Sequence, residues 1–267
     1  MSVANSQENK ILAFPFFLCY HIPMQNFVLT LRFDGSAFCG WQTQPGVPTV
    51  QAALERAIFS ATGETPRVTG CSRTDAGVHA RQFVCNFHSE TRIPSERLPA
   101  ALNFYLPEQI AVLDCRPAAP DFHARYDCKA KTYRYHIHNA RVRDPFLLRR
   151  ALLEPVPLDE ALLAHEVAAF LGAHDFTSFR AAGGSAKTSV RTVSRFDVLC
   201  EGEEVYFYVR ADGFLYNMAR IMVGTLLDIA KGRLGQGSIP AILAARDRTR
   251  AGFTAPAEGL MLWEAEY

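Results

Sequence analysis

The chain has 267 residues, 49% hydrophobic and 21% charged, with a formal net charge of only +1. That is enough apolar material for one large or two small packed domains, and it excludes a disordered chain and a uniformly basic nucleic-acid coat. The longest apolar run, Ile11 to Tyr20, is too short for a membrane helix and contains Pro15. With only Lys10 before it and no small-residue cleavage site after it, this run also lacks the marks of a signal peptide, so a cytoplasmic protein is expected.

A polar opening and an apolar stretch without periodicity make residues 1–26 an N-terminal extension, expected to be disordered, with Met24 as the expected start of the compact protein. Phe27–Phe33 then alternates as a strand and ends at the Asp34-Gly35 turn. Thr49 is placed to cap a helix through Thr62, with Val50, Ala53, Leu54, Ala57 and Ile58 on one face. Strands are expected near Pro66–Cys71 and Gln82–His88, a helix around Pro94–Phe104, and a strand at Gln109–Cys115.

The order β-α-β-β-α-β then recurs. A long strand is expected over Ala124–Asn139, a helix from Leu158 to Leu171, and a hairpin of Val190–Cys200 with Glu204–Ala211. A helix at Leu215–Lys231, a short inserted one at Ser238–Ala245 and a last strand at Leu260–Tyr267 complete the set. The reading is an α+β chain of two ferredoxin-like (βαββαβ) halves, residues 27–116 and 117–267, with antiparallel sheets side by side. Helices would cover one side, leaving the opposite face free to line a central cleft.

Seven cysteines, at 19, 39, 71, 85, 115, 128 and 200, form no C-x-x-C pair and read as reduced thiols. His136 and His138 share a strand face but have no third ligand nearby in sequence, so no metal is expected. Charge is uneven: residues 121–150 hold eight Lys or Arg against three Asp. By itself such a run is either a solvated surface or a phosphate track.

The densest cluster of reactive and turn-forming residues is Arg73-Thr-Asp75-Ala-Gly-Val-His79-Ala80, between two expected strands. On its own it is either a polar turn or a site loop. Around it stand Phe33-Asp34-Gly35, Phe38, Gly40-Trp41-Gln42, Pro48-Thr49-Val50-Gln51, Phe122-His123-Ala124-Arg125, Lys131-Thr-Tyr133-Arg-Tyr135, Asp175-Phe176, the Phe214 to Thr225 segment with Arg220 and Gly224, and Thr254 to Leu260. In this order, from Phe27 to the C-terminus, these motifs resemble the tRNA pseudouridine synthase A family. Phe33, where the family usually has tyrosine, and Cys128, where it has a small residue, depart from the pattern.

The resemblance implies the pseudouridine synthase fold and an isomerase that turns uridine into pseudouridine at positions 38, 39 and 40 of the tRNA anticodon stem-loop. No cofactor and no metal are implied. It makes Asp75 the catalytic aspartate, acting as nucleophile or base, with Arg220 pairing it and holding it ionised. Tyr133 would stack on the target uracil or move a proton, and Lys131 and Leu260 would line the base site. Arg73 would fill the space the extruded nucleotide leaves. His79 would meet phosphate or brace the loop. The basic segment, with Arg180, Lys187, Arg191 and Arg195, would track phosphates. A homodimer holding the tRNA is also implied. Alternatives are the same chemistry at other tRNA uridines, a non-catalytic RNA-binding protein, or a thiol enzyme using Cys71.

Overall fold

A computed structural model describes residues 23–267, so the expected disorder of the extension concerns residues that are, but for the last few, outside the description. Strand β1 (Gln25–Phe33) starts two residues before the expected boundary, because Asn26 is buried: its side-chain amide donates to the carbonyls of Ala119 and Phe122. Helix α1 (Val50–Thr62) is capped as its sequence predicts, the Ala52 N–H donating to Thr49 Oγ1, and it stops at Gly63 with φ 76°. Then follow β2 (Thr69–Gly70), β3 (His79–Ser89), α2 (Leu98–Tyr105) and β4 (Ile110–Ala118).

The second set is β5 (Ala130–His138), a two-residue β6 (Leu152–Leu153), α3 (Glu160–Val167), β7 (Gly172–Asp175), β8 (Val190–Glu201), β9 (Glu204–Ala211), α4 (Met218–Ala230), α5 (Ile239–Ala245) and β10 (Leu260–Glu266). Strand β5 is shorter than expected. Residues before it are held in a loop in which Asp127 accepts the His123 N–H and Asn86 accepts that of Ala124.

One sheet carries everything, in the order β4-β1-β3-β10-β5-β9-β8-β7. Within it the two sets repeat one pattern: β4-β1-β3-β2 in the first and β10-β5-β9-β8 in the second, antiparallel throughout. The halves meet along one edge of β3, and that edge is divided. Strand β2 takes Cys85 and Asn86, while β10 runs parallel to it at His79 and Ala80. The loop from Cys71 to Val78 leaves β2 and re-enters as β3, so it must lie at this junction.

Alternation in the strands decides which face is covered. On β9, Val205, Phe207, Val209 and Ala211 are buried and the residues between them are half-exposed. Phe207 is in register with Tyr135 and Val198, and Val209 with Tyr133 and Phe196, so these side chains share the helix-covered face. The other face carries a cation–aromatic array across the seam. Arg81 and Arg134 lie 4.4 and 4.6 Å from the Trp263 ring centroid, and Arg134 also covers Tyr206.

Helix α4 is pressed against the chain that precedes β10. A Cβ on Gly224 would fall 1.9 Å from the Phe253 carbonyl oxygen, and one on Gly252 would fall 2.6 Å from the Thr225 backbone. Gly224→Ala is therefore expected to destabilise the protein by about 1–3 kcal/mol, read from denaturant unfolding. A wild-type midpoint would contradict this packing.

Candidate active site

Strand ends and turn chemistry fix the loop. The Val78 N–H donates to the Asp75 carbonyl, closing a tight turn in which Gly77 takes φ 80°, a backbone state that favours glycine. The segment after β1 forms its bed. Trp41 N–H donates to the Thr74 carbonyl, Gly77 N–H donates to that of Phe38, and a Cβ on Gly40 would stand 2.5 Å from the Thr74 oxygen. Trp41 is itself fixed by stacking on Phe83, centroids 4.2 Å apart.

Over this junction lies a cavity of about 890 Å³. Ser72, Arg73, Asp75, Lys131, Tyr133, Phe214, Asn217 and Leu260 are in its wall. It opens on the helix-covered face, where Tyr133 points, and this corrects the expectation that the helix-free face lines the cleft. The helix-free face is instead occupied by the Arg81, Trp263, Arg134 and Tyr206 array.

Arg220 comes to Asp75 from the first turn of α4. Its Nη1 stands 3.3 Å from Asp75 Oδ2 and 3.0 Å from Asn217 Oδ1, and its Nε donates to the Ala255 carbonyl at 2.7 Å. The side chains are 16% and 21% exposed for Arg220 and Asp75. Arg220 is not in the cavity wall; it stands behind Asp75 and aims it.

Burial raises the Asp75 pKa from its ordinary value, and the Arg220 charge and hydrogen bond pull it back down without cancelling the rise. Desolvation is thus the larger effect at Asp75, and the Arg220 charge acts in the direction expected of it, toward the ionised form.

Tyr133 and Tyr135 share a strand face, and their surroundings separate them. Tyr133, 6% exposed, is in the cavity wall, with its hydroxyl 3.0 Å from Ser72 Oγ and its ring edge-on to Phe214. Tyr135 is spent in the core, donating to the Pro256 carbonyl at 2.8 Å. Burial pushes the Tyr133 phenol well above its ordinary range, so at neutral pH it keeps its proton.

Lys131 is buried in the same wall, with no acidic partner among the described residues, and Arg73 is exposed there. Leu260, buried at the start of β10, completes the apolar side.

His79 is 3% exposed and turns away from the cavity. Gly35 N–H donates to its Nδ1 at 3.1 Å, Asp34 lies 3.2 Å off, and Nε2 faces the carbonyls of Arg149 and Glu258. With both nitrogens engaged by protein, of the two roles expected for it only the brace is left open; the substrate-binding assignment is corrected.

The basic segment does not form one track either. Arg125, Lys131 and Arg191 reach the cavity, but Arg150 pairs with Asp34, Arg195 with Asp197, and Arg134 belongs to the opposite face. Cys71 lines the cavity as a buried thiol pushed up to about 12, too high for a thiolate nucleophile at neutral pH. His136 and His138 both contact the Glu204 carboxylate, at 2.5 and 2.7 Å, and no cluster able to hold a metal occurs among the described residues. Sequence reasoning missed Ser72 and Asn217 as contact residues. Asn217 lies inside a quoted motif and Ser72 directly before one, but their partners are one helical turn on and 61 residues away, respectively.

Residues 30–127 and 167–267 match the family model described as tRNA pseudouridine synthase. The chain belongs to that family. It is 50% identical over 241 residues to tRNA pseudouridine synthase A of Moorella thermoacetica, covering 90% of this chain and 98% of the relative. It is 45% identical over 244 residues to tRNA pseudouridine synthase A of Acetivibrio thermocellus, covering 91% and 100%. The protein of that name from Caldicellulosiruptor bescii is 42% identical over 244 residues, with the same coverage. No helix among the described residues is long and apolar enough to cross a membrane.

Proposed function

We propose that this synthase isomerises uridine to pseudouridine in the anticodon stem-loop of tRNA, at positions 38, 39 and 40, with Asp75 as its catalytic carboxylate. The observation that carries the reading is a half-buried carboxylate in the wall of a cavity of about 890 Å³, roomy enough for an extruded nucleotide, aimed by an arginine on helix α4 of the other half of the chain. The C1′–N1 bond breaks, the base turns, C1′ joins C5, and the hydrogen of C5 is replaced by one on N1. Atoms and electrons balance within the nucleotide, so no co-reactant is needed. Asp75 meets the sugar ionised, either adding to it or removing a ribose proton.

Residues 27–116 supply the catalytic loop, and residues 117–267 supply Arg220, Tyr133, Lys131 and Leu260. The Tyr133 ring and Leu260 grip the base, Lys131 supplies a cation to its polar edge or to a phosphate, and Arg73 occupies the space left in the stem. The exposed arginines beside the cavity hold phosphates, two copies of the chain hold one tRNA, and the work is done in the cytoplasm. Mapping pseudouridine in total tRNA from cells with and without the protein tests the target: loss at 38–40 supports it, and loss elsewhere moves it.

Two further outcomes are expected. Tyr133→Phe keeps the ring and loses only the Ser72 contact, so single-turnover rates should fall less than about tenfold, as one net hydrogen bond is worth about 0.5–1.5 kcal/mol. A collapse of the rate would make the hydroxyl a proton carrier. Affinity for tRNA should fall linearly in log–log salt titrations, and charge removal at Arg125 and Arg191 should flatten the slope by about 1 each. An unchanged slope would take those arginines off the phosphate path.

A further inference from the structure

We propose that Asn217 is a substrate-orienting residue whose side-chain amide donates a hydrogen bond to a carbonyl of the uracil, before and after the base turns. The inference rests on the reading of the cavity as a uridine site.

Asn217 is the residue before α4 and holds the left-handed conformation, φ 60° and ψ 10°. Asparagine at such a position commonly caps the helix with its side chain, and here it does not. Its Oδ1 accepts instead from Arg220 Nη1 at 3.0 Å, the same nitrogen that reaches Asp75. A guanidinium nitrogen can only donate, so the oxygen of the amide is fixed toward Arg220 and the NH₂ group must diverge from it. No protein acceptor takes the Nδ2 hydrogens among the described residues, yet Nδ2 is not a sealed, orphaned donor. Asn217 is in the cavity wall together with Asp75, Tyr133 and Leu260. Two pre-aimed N–H donors are thus open to solvent beside the carboxylate.

Uracil geometry supplies a use for them. The turn that exchanges N1 for C5 at C1′ is a half rotation about the axis through N3 and C6. That rotation carries O4 to where O2 was, and O2 to where O4 was. A donor fixed on the protein therefore meets a carbonyl oxygen at the same point on both sides of the turn. It would hold the detached base by one edge in both positions while its faces stay against Tyr133 and Leu260. Arg220 would then hold two groups at once, the carboxylate and the amide, and fix the spacing between them.

The test is a cycle between protein and RNA. Anticodon stem-loops carrying uridine, 2-thiouridine or 4-thiouridine at the target are compared in single-turnover assays with the wild-type protein, Asn217→Gly and Asn217→Asp. Glycine keeps the left-handed backbone at no steric cost, and aspartate keeps an oxygen for Arg220 but removes the donor. Because sulfur is a poor acceptor, the thio-RNAs should be about tenfold slower with the wild type at one or both positions. This penalty should shrink to about twofold or less in both variants, because the bond is already gone. Asn217→Asp should also move the acid limb of the pH–rate profile upward, since a second carboxylate competes for Arg220. A thio penalty of equal size in the wild type and both variants overturns the proposal, whatever the variants' absolute rates or stability. A wild-type protein that forms no pseudouridine in the plain uridine RNA would overturn the parent reading instead.

Discussion

Asp75→Asn is expected to bring pseudouridine formation to the detection limit, a loss of about 10⁴-fold or more, while tRNA binding stays within a few fold of wild type. The amide fills the same volume and still accepts from Arg220 Nη1, so the loop and its turn through Gly77 should be kept. What disappears is the negative charge, and with it both the nucleophile and the base. Asp75→Ala should agree. Measuring single-turnover rates and binding together separates the readings, because a non-catalytic RNA-binding protein has no turnover to lose. Substantial turnover in both variants would remove the carboxylate from the mechanism. A thiol route is already disfavoured by the burial of Cys71.

Arg220→Ala is expected to be nearly as damaging at neutral pH, by about 10²–10³-fold, and through a different cause. Burial raises the Asp75 pKa, and among the described residues Arg220 is the group that opposes this rise. Removing the cation removes the opposing effect, so the pKa must go up further and the acid limb of the rate profile must move to higher pH. The wild-type acid limb itself should lie above the ordinary aspartate value of 3.8. Part of the lost activity should return as pH is raised; the part that does not return measures the loss of aim. Arg220→Lys should restore charge but not the fork that holds Ala255 and Asn217 together, and so should recover the profile more than the rate. An Arg220→Ala profile with the wild-type limb and only a lower plateau would reject the electrostatic part of this account.

What the sequence makes legible depends on how local each signal is. Helix α1, with its Thr49 cap and Gly63 stop, and β9, with its strict alternation, were legible because their causes lie within a turn or a pleat of the residue concerned. The Arg73–Ala80 loop was legible as a motif for the same reason, since Gly77 and Asp75 act on neighbouring backbone. The family and the isomerase chemistry were already implied by ordered motifs along the chain. Other features were not local. Strand β2 pairs only at Cys85 and Asn86, and the His79–Ala80 end of the same β3 edge goes to β10, which comes from the far end of the chain.

The one-dimensional pattern thus determined the order of the main helices and strands and the turn of the Arg73–Ala80 loop, because these follow from nearest-neighbour sterics and hydrogen bonding; the short strands β6 and β7 were not legible in it. Only the tertiary structure decided that the cavity opens on the helix-covered face, that Tyr133 and not Tyr135 lines it, and that His79 is spent on the Asp34 turn and two carbonyls. It also decided that Arg220 pairs with the Asp75 carboxylate without itself lining the cavity. Each of these depends on groups that are remote in sequence and brought together by the pairing of β10 with β3 and the packing of α4 against the chain that precedes β10. The desolvation that raises the Asp75 pKa comes into being only when those pieces close together.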